Sequence, residues 1–341
     1  MSKDVKMSDI AGKLGVSTVT VSKALSGQKG VSDKVREEIK KLADEMGYVP
    51  IAARKATQAR TSYNIGVLMA DRFLGPTYSF YSQLYQKVAS EAISNGSFTM
   101  MECISYDMEK TKDLPLLLKK GKVDGLIIIG RLSDDYVELL KKESNVPLMC
   151  LDFMDKKFHS DSVISDGYYG GYALTNYLIE NGHRGIAYVG TVLATGSITG
   201  RYLGYTRALM EAGLPIRDDW VIPDRDSNTG KASSEEFFAL PKEMPTAFFC
   251  NSDFAATLLI RKLMANGYKI PEDVSVVGYD NFPFPEMSEI GITSYDVDMK
   301  EMSRKAVRNL IHKMNGDQYR KGVQIVTGHI VEKESVRFLN H

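Results

Sequence analysis

The chain has 341 residues, with 43 Lys and Arg balanced by 43 Asp and Glu, a length that builds one small and one large domain or three lobes, each with its own core. Zero net charge by itself argues against a nucleic-acid partner, but the balance is uneven. Residues 1–62 hold 12 basic and 7 acidic side chains, net +5, and the remainder holds 31 against 36, net −5. The basic footprint is local and modest, so one copy is drawn weakly to phosphate and two copies side by side double the attraction.

The first elements carry the most information. Ser8 is expected to cap a helix with Ile10, Ala11 and Leu14 on one face; Gly15 ends it and Ser17 caps a second helix from Thr18 to about Leu25. A third helix, opened by Ser32 and closed by Gly47, aligns Val35, Ile39, Leu42 and Met46. Together they make a helix-turn-helix small enough to enter a DNA groove. Val21 and Leu25 face the other helices, while Thr18, Val19, Ser22 and Lys23 point away. Lys23 suits guanine O6 and N7, and the methyls of Thr18 and Val19 suit a thymine methyl. The bland alternatives are core packing for Val19 and a solvated surface charge for Lys23.

From Tyr63 the period changes. Short apolar runs without alternation fall at 65–70, 98–104, 125–129, 146–151, 186–189, 247–250 and 274–278, with helical stretches at 82–94, 114–120, 134–142, 170–181, 202–212 and 254–266 between them. Strands apolar on both faces and separated by helices predict parallel sheets covered on both sides, a doubly wound α/β architecture. A shift near residues 159–162 divides the region into two lobes facing a cleft, where ligands bind at the carboxyl ends of strands.

Cys103, Cys150 and Cys250 lie far apart in apolar runs with no metal-ligand spacing, and are expected as buried free thiols. The five histidines share no ligand spacing, and no GxSxG, Walker, HExxH or dinucleotide fingerprint occurs, so neither an enzyme, a metal nor a cofactor is expected. The N-terminus lacks an apolar signal core and no apolar run reaches the roughly 18 residues of a membrane span. The expectation is a soluble protein of a reducing cytoplasm.

The helix-turn-helix, Gly47-Tyr48-Val49-Pro50, Asn64-Ile65-Gly66-Val67-Leu68, Val123-Asp124-Gly125-Leu126-Ile127-Ile128, Gly182-His183-Arg184-Gly185-Ile186-Ala187, Gly200-Arg201-Tyr202-Leu203-Gly204-Tyr205 and Asp273-Val274-Ser275-Val276-Val277-Gly278-Tyr279-Asp280 stand in order. Taken together they resemble the LacI/GalR family of bacterial transcription regulators from about Met7 to Arg337. The resemblance implies a DNA-binding headpiece (1–50), a hinge (51–62) and a two-lobed effector domain of periplasmic-binding-protein type I fold (63–341). Lobe 1 is expected at about 63–160 and 296–320, lobe 2 at about 161–295 and 321–341. It also implies that Thr18, Val19 and Lys23 reach base edges while Ser17, Thr20 and Ser22 contact phosphate. The function implied is repression of carbohydrate-utilisation genes from a pseudo-palindromic operator, under a small sugar or sugar-derived effector.

In the hinge, Thr57 falls where the family places a leucine that wedges into the minor groove, and Arg54 and Lys55 remain available to that groove. A flexible basic linker is the alternative. In the effector domain, the resemblance makes Arg201 a fork onto ligand hydroxyls or a carboxylate, Asp280 a hydroxyl acceptor, Phe80 and Tyr81 an aromatic platform, and Asp152-Phe153 a rim of the first lobe. Core packing is the alternative for the aromatics, and a salt bridge or cap for Arg201 and Asp280. Ser252 replaces a ligand-touching amide, and Asp253 is read as a helix cap. Arg225-Asp226 stands where relatives often have a stacking aromatic, which makes an acidic or phosphorylated sugar a live option.

One headpiece covers half an operator, so a homodimer is expected, and the C-terminus lacks the leucine heptads that tetramerise some relatives. A transport-type binding protein shares the two lobes but not residues 1–60. A regulator responding to a protein corepressor or a non-sugar metabolite fits as well as one responding to sugar.

Overall fold

The computed structural model describes residues 7–26, 28–46, 48, 62–74, 79–155, 160–226, 238–282, 284 and 290–339. The chain divides into two compact units, Met1–Thr61 and Ser62–His341. The hinge residues Arg54, Lys55 and Thr57 lie outside the described residues.

The first unit contains α1 (Met7–Leu14), α2 (Thr18–Leu25) and α3 (Asp33–Glu45). Ile10, Val21, Ala24 and Ile39 close its core, and Leu14, Leu25, Val35, Leu42 and Met46 pack around them. The first helix already begins at Met7, so Ser8 sits inside its first turn and is not the cap expected of it. Gly15 adopts φ +63°, the left-handed turn that lets Val16 N–H reach back to the Ala11 carbonyl. Ser17 caps α2 by accepting from Thr20 N–H at 3.1 Å. The other end of α2 is held by Arg36 of α3, which donates to the carbonyls of Ala24 (3.2 Å) and Gln28 (2.8 Å). A cation there complements the negative end of the helix dipole and ties α3 to α2.

The second unit holds two six-stranded sheets. In the first, the spatial order is β11 (Val323–Val326), β5 (Asp161–Ser165), β4 (Leu148–Leu151), β3 (Gly125–Ile129), β1 (Asn64–Ala70) and β2 (Phe98–Ile104). In the second it is β12 (His329–Val331), β10 (Thr293–Asp296), β9 (Ser275–Asp280), β8 (Ala247–Cys250), β6 (Ile186–Val189) and β7 (Val221–Ile222). Every neighbouring pair is parallel except β10 with β12. Strands β3, β4, β6 and β8 are buried along their whole length because helices cover both faces, which explains their unbroken apolar sequences.

Two expectations need correction. Strands β5 and β11 belong to the first sheet, although the sequence reading assigned 161–295 and 321–341 to the second lobe. The reason is that the chain crosses between sheets three times, after β5, after β10 and after β11, and these short strands carry polar residues that hide them from an apolar-run search. Cys103 is exposed on the edge strand β2, whereas Cys150 and Cys250 are buried free thiols as expected. No helix among the described residues is long and apolar enough to cross a membrane.

The helices Gly167–Glu180 and Gly196–Glu211 pack through glycines. A Cβ on Gly171 would strike the Arg201 carbonyl, and one on Gly204 the Tyr168 carbonyl. Gly171→Ala is expected to force this pair apart at about 1–3 kcal/mol, lowering the melting temperature by roughly 2–4 °C per kcal/mol. Gly196→Ala, which meets open space, serves as the neutral control in the same thermal melts.

Candidate functional site

On the first unit, α2 presents one continuous polar and methyl-bearing face. Ser17, Thr18 and Ser22 are exposed, and Thr20 and Lys23 are half-buried. Val19 is 60% exposed, which removes core packing as its role. The Ser17 and Thr20 hydroxyls lie 2.9 Å apart, so the two expected phosphate contacts come from one hydrogen-bonded pair at the helix N-terminus, where the dipole favours an anion.

In the second unit the sheet topology brings residues from both lobes together. Asp152 follows β4 with φ +66°, and Asp280 ends β9 with φ +99°. Left-handed backbone at two strand ends costs free energy outside glycine, and here it leaves both carboxyl groups at the carboxyl ends of their sheets. Arg201, in the second turn of the Gly196–Glu211 helix, is 5% exposed. It donates to the Asn251 carbonyl and to Asp280 Oδ1 at 3.2 Å, and its guanidinium carbon lies 3.6 Å from the centre of the Tyr279 ring. Its Nε is buried with no hydrogen-bond partner among the described residues. Across the cleft, the Tyr81 hydroxyl donates to Asp152 Oδ2 at 3.0 Å. Tyr81 stacks on Phe73 with ring centres 4.6 Å apart and meets the half-buried Phe80 edge-on at 5.3 Å.

Burial dominates the electrostatics. It pushes Asp152 up to about 6 and Asp280 up to about 7, with Arg201 opposing both shifts. The Asp152 charge adds to the rise at Asp280, placing the two carboxyls within electrostatic reach of one another. Burial also raises the Tyr81 hydroxyl, with Asp152 as the next cause. Arg201 keeps its proton because Asp280, Tyr279 and Asp152 outweigh the cost of burying it.

Other expected residues are engaged elsewhere in the fold, although Arg225 remains within electrostatic reach of Tyr81 and Asp280. Arg225 grips Asp224 through Nε at 3.1 Å and Nη2 at 2.6 Å, so its charge is spent within the fold. Ser252 is the cap of the Asp253–Ala265 helix, accepting from Ala255 N–H at 3.2 Å. Asp253 is therefore not the cap it was read as. Its buried carboxylate turns to the loop after β9, accepting from Phe282 N–H at 2.6 Å and Ser294 Oγ at 3.0 Å. Phe153 is 8% exposed and belongs to the core of the first sheet with Leu132 and Cys150. A cavity of about 670 Å³ opens beside the cluster, sharing Phe73 and Arg225 as walls and continuing past Arg72, Arg131, Tyr106 and Thr195.

Sequence reasoning missed Tyr279, Asn251, Asp224 and Phe73. Tyr279 had a signal, since the apolar run of β9 ends on an aromatic directly before Asp280. The others act through a carbonyl, a second carboxylate and a ring stack that only the fold brings near.

The match to known proteins follows the same division. Residues 6–50 match the family model for bacterial regulatory proteins of the lacI family, and residues 175–336 match that for periplasmic binding protein-like domains. The HTH-type transcriptional repressor PurR of Vibrio campbellii is 30% identical over 335 residues, covering 97% of this chain and 98% of its own. Among solved structures, the cellobiose complex of the transcriptional regulator CelR superposes with a TM-score of 0.68 at 23% identity, covering 97% of this chain and 99% of its own. The lac repressor dimer bound to operator and the anti-inducer ONPF superposes with a TM-score of 0.67 at 23% identity, covering 98% of this chain and 100% of its own.

The raised carboxyls have a measurable consequence. An unfolded Asp152 loses its proton near 3.8 and the folded one near 6, so between these values the native state binds more protons and stability falls as pH rises. Asp152→Asn removes that contribution. Relative to the wild type, the variant is expected to gain stability from about pH 4 to about pH 6 by at most about 1.4 kcal/mol per pH unit, then hold constant. Thermal melts of both proteins across this range check it; a difference independent of pH would contradict the buried, proton-holding Asp152.

Proposed function

The chain belongs to the LacI family of bacterial regulatory proteins and is a DNA-binding repressor, and from that premise we propose that it controls carbohydrate-utilisation genes in response to a neutral polyhydroxyl effector held between its lobes. A headpiece (1–50), a hinge (51–62) and an effector domain (63–341) divide the work. Two copies grip a pseudo-palindromic operator as a homodimer, since one headpiece reads one half-site. Thr18, Val19 and Lys23 face the base edges, and Ser17, Thr20 and Ser22 the phosphates.

One observation carries the effector reading: an arginine fork with an open Nε lies between two carboxyl groups, beside an aromatic wall of Phe73, Phe80 and Tyr81. Vicinal hydroxyls donate to carboxylates and accept from guanidinium, and a sugar face stacks on aromatic rings. The charges of the cluster weigh against an acid or a phosphate. Among its described residues, Arg201 and Arg225 face three acids, Asp152, Asp280 and Asp224. A planar heterocyclic base is the second reading, favoured by the stacked Phe73 and Tyr81 pair.

A thermal-shift screen of neutral sugars, sugar acids, sugar phosphates and nucleobases tests this, because a ligand at 100 times its Kd adds about 2.7 kcal/mol. A neutral sugar is expected to register, and Arg201→Ala to weaken it by about 1.5–3 kcal/mol in calorimetry. Stabilisation by bases alone, or an Arg201→Ala protein that binds as tightly as its parent, would overturn the sugar reading.

On the DNA side, Lys23→Ala is expected to cost about 1–3 kcal/mol on the preferred operator and to relax one base position. Selection of binding sites from random DNA by parent and variant decides this. Unchanged base preferences would assign Lys23 to the phosphate backbone or to solvent.

A further inference from the structure

The chain passes between the two sheets at three places: at Asp166, between β5 and the Gly167–Glu180 helix; at Val297 and Asp298, between β10 and the Met299–Asn315 helix; and at residues 327–328, between β11 and β12. The Gly167–Glu180 helix packs on the second sheet and the Met299–Asn315 helix on the first, so each passage is a crossover between lobes. Their relative geometry fixes how the lobes stand to one another.

Two tyrosines bond to the first and third of these passages, and one of them adjoins the second in sequence. Tyr279, the ring under Arg201, donates its hydroxyl to the Asp166 carbonyl at 3.1 Å. It pairs in register with Tyr295 on β10, and the rings stack with centres 5.0 Å apart and planes 27° from parallel. Tyr295 lies two residues before Val297, and its hydroxyl accepts from Gly328 N–H at 2.9 Å. Asp166 N–H in turn donates to the Val326 carbonyl at 3.0 Å, joining the first crossover to the third. Both tyrosines need missing side chains nearby. A Cβ at Gly170 would lie 2.6 Å from the Tyr279 hydroxyl, and one at Gly328 would lie 2.7 Å from the Tyr295 ring.

We infer that Tyr279, with Tyr295 behind it, is a positioning residue that ties Arg201 to the crossovers, so that what the arginine holds in the cleft is registered in the hinge between the lobes. The functional part of this inference rests on the reading of Arg201 as an effector ligand; the mechanical part does not. Arg201 is fixed on one side by Asp280 and Asn251 and on the other by the Tyr279 ring, and a ligand that draws the guanidinium moves a flat group packed on that ring. The ring cannot slide freely, because its hydroxyl is anchored to one crossover and its other face lies on the tyrosine that anchors another. Coupling here means one packed, hydrogen-bonded set with shared positions, which is the physical requirement for two sites to influence each other.

Hydrogen exchange on the full-length protein, with no ligand added, tests this through peptides covering 163–170 and 325–331, with 65–70 of β1 as reference. Arg201→Lys keeps the charge and loses the planar stack. It is expected to speed exchange in both crossover peptides by about tenfold and to leave the reference unchanged. In a Tyr279→Phe background, which keeps the ring but frees Asp166, Arg201→Lys should act on 325–331 and no longer on 163–170. In a Tyr295→Phe background the pattern should reverse. The inference is overturned if Arg201→Lys leaves both crossover peptides as they were, acts equally in every background, or loosens the reference alongside them. A cleft that binds nothing in the effector screen would leave this crossed pattern to be seen or not, so the two readings fail separately.

Discussion

A guanidinium as deeply buried as Arg201 survives only where its charge is met on every side. Desolvating an ion costs several kcal/mol, and removing one partner of a buried pair typically costs 3–5 kcal/mol because the other is stranded. Here Asp280 supplies the counter-charge, Asn251 a carbonyl, and Tyr279 the electron-rich face of a ring. Much of the surrounding structure follows from making that arrangement possible. Gly171 lets the Gly167–Glu180 helix lie against the Arg201 backbone, Gly170 leaves room for the Tyr279 hydroxyl, and the left-handed turn at Asp280 aims its carboxylate back at the helix. The Nε is a buried donor that meets no acceptor among the described residues.

Asp253 explains how Asp280 holds its unusual backbone. Three successive residues after the core of β9 are pinned from behind: Asp280 by Arg201, Asn281 N–H by Ser294 Oγ, and Phe282 N–H by Asp253 Oδ2. Asp253 also receives the Ser294 hydroxyl, so one buried carboxylate organises the whole turn. Burial pushes Asp253 well above the ordinary carboxylate value, as expected of an acid used for its shape and acceptors away from solvent. Gly278 belongs to the same device, since a Cβ there would collide with Asp253 Oδ1.

How much of this was legible in the sequence depends on whether the signal is local. The headpiece was, because caps, the Gly15 turn and a helical stripe act over a few residues, and Ile10, Val21 and Ile39 all reach the core. Strands such as 125–129 and 247–250 were, because full burial leaves no polar residue in them. Strands β5, β10 and β11 were not, since their sequences Asp-Ser-Val-Ile-Ser, Thr-Ser-Tyr-Asp and Val-Gln-Ile-Val mix polar and apolar residues near the crossovers. The same blindness misplaced the lobe boundaries. Arg201, Asp280, Asp152 and Tyr81 lie within reach of one another, whereas Phe153, Ser252 and Arg225 are taken up by core, cap and ion pair. Composition cannot reveal that Arg225 is neutralised, because its partner Asp224 is itself held by the Thr191 amide and the Asn251 side chain.

The carboxyls of the cleft are electrostatically coupled. Asp152 belongs to the first sheet and Asp280 to the second, and the charge of one already raises the pKa of the other. The two carboxyls stand in a dry space with Arg201 bonded to Asp280 and Arg225 within electrostatic reach of it, and burial, joined at Asp280 by the Asp152 charge, still holds both above the ordinary carboxylate value. A polyhydroxyl molecule changes that balance, because each hydroxyl offers a donor to a carboxylate and an acceptor to the open Arg201 Nε. The groups proposed to recognise the effector are therefore the same groups whose charges bear on one another. A carboxyl from each lobe and the arginine at the head of the tyrosine stack are thus held within electrostatic reach of one another, so a change at one bears on the other two.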